Sequence, residues 1–290
     1  RNVLVISFLL NIILNPILIF GFLFIPAFGV KGIGIATIIS QLVSFLIILF
    51  KVLKNERVRN ITNEYLAPKF LFFKNIFFQS MPISVSICGY ALAAAIIFTY
   101  VGQSGEYAVA GYGVGTRIEQ VVLLPILGIN TAIISIIAQN YGANNLVRIK
   151  ETYFTAIKYA FIIMITAGTL VFLSASVITS FFSSDPEVIE YGKRYLKISA
   201  FVLPAYPVFF LSNGFFMALK KSENAMISNF FRNVLNPIAV FYIAKYINAS
   251  FETFFWLWVG INWFFSISYF FIIIYYFKLK LNKPSTVVHP

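Results

Sequence analysis

The chain has 290 residues and a formal net charge of +12, yet only 11% of its side chains are charged; 60% are hydrophobic, 34 of them phenylalanine, and the mean hydropathy is +0.86. Soluble domains hold roughly 45–50% apolar and 25% charged residues, and this chain has too few polar side chains to cover a water-facing surface, so an integral membrane protein is expected. A lone cysteine (Cys88) and a lone histidine (His289) exclude a disulfide framework and a His/Cys metal site, and without a Gly-Lys-Ser/Thr phosphate loop an ATP-driven pump does not fit; no enzyme is expected.

In chain order, Arg1 and Asn2 lead straight into an apolar run too long for a signal-peptide core. A window of about 19 residues predicts eight spans: 3–23, 33–52, 83–101, 109–138, 153–174, 195–218, 225–246 and 254–277. The runs are too continuous for barrel strands, so the fold class is an all-α membrane protein with eight transmembrane helices.

The first span contains Leu14-Asn15-Pro16-Ile17 followed by Phe20, and the seventh contains Leu235-Asn236-Pro237-Ile238 followed by Phe241. Proline removes a helix hydrogen bond, so Pro16 and Pro237 are expected to break their helices. Paired broken segments in two halves point to a secondary transporter's cavity. Asn11 and Asn15, four residues apart, share a helix face; their amide oxygens suit a hard cation, or else they only cap the break.

The single long connection, 53–81, mixes Lys54, Arg57 and Arg59 with the apolar 70–78, as an amphipathic helix at a membrane surface would. It divides the chain into 1–52, the last two helices of a first lobe, and 82–279, a complete six-helix second lobe, with 280–290 as a tail. Subtracting the repeat offset (236 − 15 = 221) from Pro82 puts its counterpart near position −139, so four helices are expected ahead of Arg1.

Beyond the connection, Glu119 is the only acid well inside a span and a functional candidate by default, as a cation attractor or proton carrier. Arg117 lies on another face of the same helix. Tyr90, Tyr112 and Tyr206 could present rings to flat cations. Arg232 and Lys158 are expected to anchor at an interface, and the run Phe254-Phe255-Trp256-Leu257-Trp258 to form an interfacial aromatic belt.

Of the 22 lysines and arginines, Arg117, Lys158 and Arg232 fall inside spans; Lys31, Lys193, Arg194, Lys197 and Lys245 lie on one side and the other fourteen on the opposite, cytoplasmic side. The positive charge is therefore topological, and a nucleic-acid partner is not expected. Both chain ends and 53–81 are expected in the cytoplasm.

Two stretches carry a family resemblance. One is Asn11 to Gly21 with Gly29-Val30-Lys31-Gly32-Ile33-Gly34-Ile35-Ala36-Thr37; the other is Gly111-Tyr112-Gly113-Val114-Gly115-Thr116-Arg117-Ile118-Glu119, with Pro125, Gly128 and Gln139-Asn140-Tyr141-Gly142-Ala143-Asn144-Asn145. The chain resembles the multidrug and toxic compound extrusion (MATE) family, from the family's fifth helix to its twelfth.

The resemblance implies twelve helices in two lobes around a cavity, and export of bulky, often cationic compounds in exchange for protons or sodium ions. It implies a cation site at Asn11, Asn15 and Thr37, although Asn15 stands where many members carry aspartate. Glu119, Arg117, Tyr90 and Tyr206 are the substrate-pathway candidates. No cofactor or metal is expected beyond Na+ or H+ as coupling ion. The expected partners are a small molecule and the lipid bilayer, with a monomer when full length, in a bacterial or archaeal cell membrane. A flippase for lipid-linked saccharides shares the architecture but needs more cavity charge. A channel or assembly subunit is the reading furthest from this one.

Among the glycines, Gly29, Gly32 and Gly34 are expected to permit a tight turn and close helix approach, and Gly142 to cap its helix.

Overall fold

The computed structural model describes residues 2–22, 25–55 and 70–281. Residues 56–69 of the expected connection, with Arg57, Arg59 and Lys69, and the tail 282–290 lie outside the described residues. The chain divides into two compact units, Arg1–Lys74 and Asn75–Pro290.

The first unit contains a hairpin of α1 (Asn2–Phe20) and α2 (Val30–Leu53). The turn between them needs left-handed backbone at Gly21 (φ 79°) and Gly29 (φ 56°). A Cβ at Gly32 would lie 2.4 Å from the Leu18 carbonyl oxygen, so glycine lets the two backbones touch. At the far end the Ser7 hydroxyl donates to the Ser40 carbonyl at 3.2 Å. Gly34 meets nothing within 4 Å. The expected break at Pro16 is absent: α1 stays helical to Phe20 with Pro16 inside it. A proline costs a helix one backbone bond and a local clash, which the remaining ladder of an apolar helix can absorb.

The second unit begins within α3 (Phe70–Gly102), a helix already running by Phe70, inside the expected connection. Then come α4 (Glu106–Gly142), α5 (Leu146–Ser180), α6 (Pro186–Ser199), a 3-10 turn (Leu203–Ala205) and α7 (Tyr206–Ala218). The rest is α8 (Ser222–Phe230), a π turn (Phe231–Leu235), α9 (Asn236–Tyr246) and α10 (Phe251–Leu281). Pro237 follows directly on the π turn, at the second residue of α9; the backbone stays helical through both, so the segment changes its hydrogen-bond register there and does not end.

Turn chemistry fixes the boundaries. Asn145 caps α5 by accepting the Arg148 N–H at 3.0 Å, and Asp185, ahead of Pro186, caps α6 by accepting the Glu187 N–H at 2.8 Å. The left-handed residue closing α4 is Asn144 (φ 54°), not the expected Gly142, which is still helical. Helices α4 and α6 meet at glycines: a Cβ at Gly111 would lie 2.7 Å from the Gly192 nitrogen, and one at Gly115 would overlap the Tyr195 ring.

Six helical segments of the described residues are long and apolar enough to cross a membrane, against eight predicted spans. The other two are the third, which lies within the 33-residue α3, and the seventh, which is made up of α8, the π turn and α9.

Candidate functional site

Glu119 lies on the face of α4 that meets α6 and α7. One turn before it, Gly115 has no side chain, so the Tyr195 ring of α6 lies against the α4 backbone and brings its hydroxyl to the carboxylate. Tyr206, at the start of α7, donates its hydroxyl to the other oxygen at 2.5 Å. Two O–H donors thus hold one carboxylate in a single orientation. Its remaining lone pairs are available to a cation or a proton.

Rings from three helices enclose the pair. Tyr112 meets Tyr195 edge-on at 4.9 Å between centroids, and Phe255 meets Tyr195 at 4.8 Å and stacks on Tyr112 at 5.4 Å. Together with Tyr90, Gln120, Asn233 and Trp258 these side chains line a cavity of about 110 Å³.

Arg232 lines the same cavity from the π turn. Only 9% exposed, its guanidinium lies 4.2 Å from the centre of the Phe209 ring and 4.9 Å from that of Tyr206. Its Nε donates to Asn262 Oδ1 at 3.3 Å, and the Asn262 amide donates in turn to the Trp258 carbonyl at 2.8 Å. Among the described residues no carboxylate comes within 4 Å of it. The expectation that Arg232 anchors at an interface is therefore corrected: aromatic faces and an amide, not headgroups, surround this cation.

Of the residues predicted from sequence, Glu119, Tyr90 and Tyr206 line this one cavity. Arg117 is exposed and does not line it, because two residues along a helix turn it to another face. In the first unit the Asn15 amide donates to Asn11 Oδ1 at 2.9 Å, and Thr37 donates to the Ile33 carbonyl of its own helix at 2.9 Å. Asn15 Oδ1 is buried without a hydrogen-bond partner among the described residues. A hard cation takes about six oxygens or more, so these side chains alone would be a minority of its shell.

Sequence reasoning missed Tyr195, Asn233, Asn262 and the inward placement of Arg232. For Arg232 the repeat held a signal: the offset of 221 that pairs Asn15 with Asn236 pairs Asn11 with Arg232. The expected aromatic belt also divides. Phe254 and Phe255 are core residues and Trp258 lines the cavity, while Trp256 is exposed.

A model of the MatE family matches residues 82–242. Multidrug export protein MepA of Staphylococcus haemolyticus is 26% identical over 218 residues, covering 75% of this chain and 47% of that protein. The probable multidrug resistance protein NorM of Thermotoga maritima is 26% identical over 239 residues, 81% of this chain and 48% of that one. The chain thus spans about half the length of these relatives. Among solved structures, a MOP superfamily transporter from Pyrococcus furiosus shares the fold at a TM-score of 0.86 and 23% identity, over 97% of this chain and 63% of that one. An inward-facing multidrug resistance MATE family transporter gives 0.76 at 24% identity, over 98% and 65%.

Proposed function

The chain belongs to the MatE family of multi-pass membrane transporters, and on that premise we propose that the full-length protein exports small organic, often cationic compounds in exchange for protons or sodium ions. In this reading the residues described make eight crossings, the C-terminal part of a twelve-helix, two-lobe transporter in a bacterial or archaeal cell membrane. The observation that carries it is the ring-lined cavity with a single carboxylate, Glu119, held by two tyrosine hydroxyls. Rings supply stacking surface to a flat cation and the carboxylate supplies its counter-charge. Relatives described as multidrug exporters support the same reading.

Glu119 is also the one carboxylate of the cavity lining, so in this reading substrate and proton would compete for it. The Asn11–Asn15 pair would contribute to a sodium site only alongside further oxygens. A saccharide-lipid flippase is less well supported, because Arg232 is the one basic residue of the cavity and a diphosphate calls for more.

The test is ethidium transport by the full-length protein in energised inside-out vesicles. Glu119→Gln keeps the shape and removes the charge; loss of a charge-assisted contact worth about 1.5–3 kcal/mol should weaken transport roughly tenfold or more. Tyr206→Phe should give a smaller loss in the same direction. Wild-type transport by Glu119→Gln would remove the carboxylate from the mechanism.

A further inference from the structure

Between α8, the π turn and α10 lies a second cavity of about 440 Å³, within the roughly 300–1,000 Å³ usual for small-ligand pockets. Its walls are mainly aromatic and aliphatic, with Phe209 and Tyr269 on the inner side and Phe264 and Ile272 on an exposed outer lip. The residue shared with the central cavity is Arg232, which lines both.

A charge this deeply buried normally has a partner, since an uncompensated buried ion costs several kcal/mol. Phe209, Tyr206 and Asn262 reduce that cost, and Glu119 lines the central cavity on the other side of Arg232, but among the described residues the two terminal nitrogens of Arg232 make no hydrogen bond and no carboxylate lies within 4 Å of them. No acid lines the second cavity. An apolar slot ending in a planar cation with no ion-pair partner within 4 Å is complementary to an amphiphile with a small planar anionic head.

We propose that this cavity binds a single-chain organic carboxylate, its head paired side-on with Arg232 and its hydrocarbon chain lying between α8 and α10. The carboxylate matches the guanidinium fork in geometry as well as charge. A cation would face Arg232 with no acid to offset it, and a two-chain phospholipid would bring one chain too many for a slot of this volume. Occupancy needs only the fold of the second unit and is independent of export, so binding is measured rather than efflux.

The experiment uses the full-length protein in phosphatidylcholine nanodiscs, titrated with the fluorescent fatty acid dansyl-undecanoate. Saturable enhancement is expected, displaced by laurate but not by ethidium. Arg232→Gln should weaken it about tenfold or more, and Arg232→Lys, which keeps charge but loses the fork, by less. The uncharged dansyl-undecanol should bind wild type no better than the acid binds Arg232→Gln. Ile272→Trp leaves Arg232 in place and fills the slot from its exposed lip, so it should also abolish binding, and it reads the site even if Arg232→Gln fails to fold. Unchanged binding in Ile272→Trp, or equal affinity for acid and alcohol, would overturn the proposal. So would displacement by ethidium, or by phosphatidylglycerol in place of laurate, which would assign the slot to a cation or a phospholipid.

Discussion

Two asparagines four residues apart hold opposite interests in this chain. Asn15 donates its amide to Asn11 and its own oxygen is buried and unpaired among the described residues, a polar atom with a desolvation cost of roughly 1–3 kcal/mol unless something approaches it. A cation or a water would relieve that cost; a proton cannot, because an amide does not titrate near neutral pH. In the full-length protein Asn15→Ala should therefore weaken ion-driven transport without shifting its pH optimum, and Asn15→Asp should add or move a titration. Efflux measured against pH at fixed sodium distinguishes these outcomes, and an alanine variant with wild-type rate and sodium dependence would reduce Asn15 to a packing residue. At this scale Glu119 was legible from sequence because an acid inside an apolar run stands out unaided. Tyr195 was not, since nothing local marks one tyrosine among 16 as the partner of a carboxylate 76 positions away.

At the level of elements, the contact between α4 and α6 positions Tyr195, and it depends on glycines spaced like a membrane-helix packing motif, Gly111 and Gly115. A methyl group at Gly111 would press on the Gly192 nitrogen and the Val188 carbonyl oxygen at 2.7 and 2.8 Å, backbone atoms that cannot turn aside. Gly113 lies between them in sequence but on another face, with nothing within 4 Å. Gly111→Ala should cost about 1–3 kcal/mol and lower the apparent melting temperature in detergent by several degrees, and Gly113→Ala should leave it near wild type. Equal melting of the two variants would mean that the helices do not meet there. The helices themselves were legible as apolar runs. The π turn was not: Asn-Pro marks both Pro16 and Pro237, yet only the second segment departs from α geometry. The difference follows from tertiary partners, chiefly the rings of α7 and the Asn262 amide that hold Arg232 inward. π turns concentrate at functional sites for this reason: the extra residue re-aims a side chain that a regular helix would point elsewhere.

For the whole molecule, the charge distribution makes a claim about the membrane that an isolated chain in space does not carry. Helix α5 has 35 residues, a length of about 50 Å at 1.5 Å per residue, well beyond the roughly 30 Å of a hydrocarbon core. Its two ends should therefore lie on opposite sides of the bilayer. Arg148 and Lys150 follow the turn at its start, whereas the turn at its end is followed by Asp185 and Glu187 before Lys193 and Arg194. Acids have little influence and the basic residues beside α5 alone do not choose between its ends; it is the 14-to-5 bias over the whole sequence that predicts the α4–α5 turn in the cytoplasm and the α5–α6 turn outside. In a Cys88→Ser background, Ser184→Cys should react with a membrane-impermeant maleimide in intact cells, and Ala143→Cys should react only after the cells are opened. Both positions are exposed in the structure, so protection cannot come from burial within the chain. Labelling at 143 with protection at 184 would invert the protein in the membrane. The 14-to-5 bias would then have to be explained by something other than topology, and Glu119 would be approached from the opposite side from the one assumed for export.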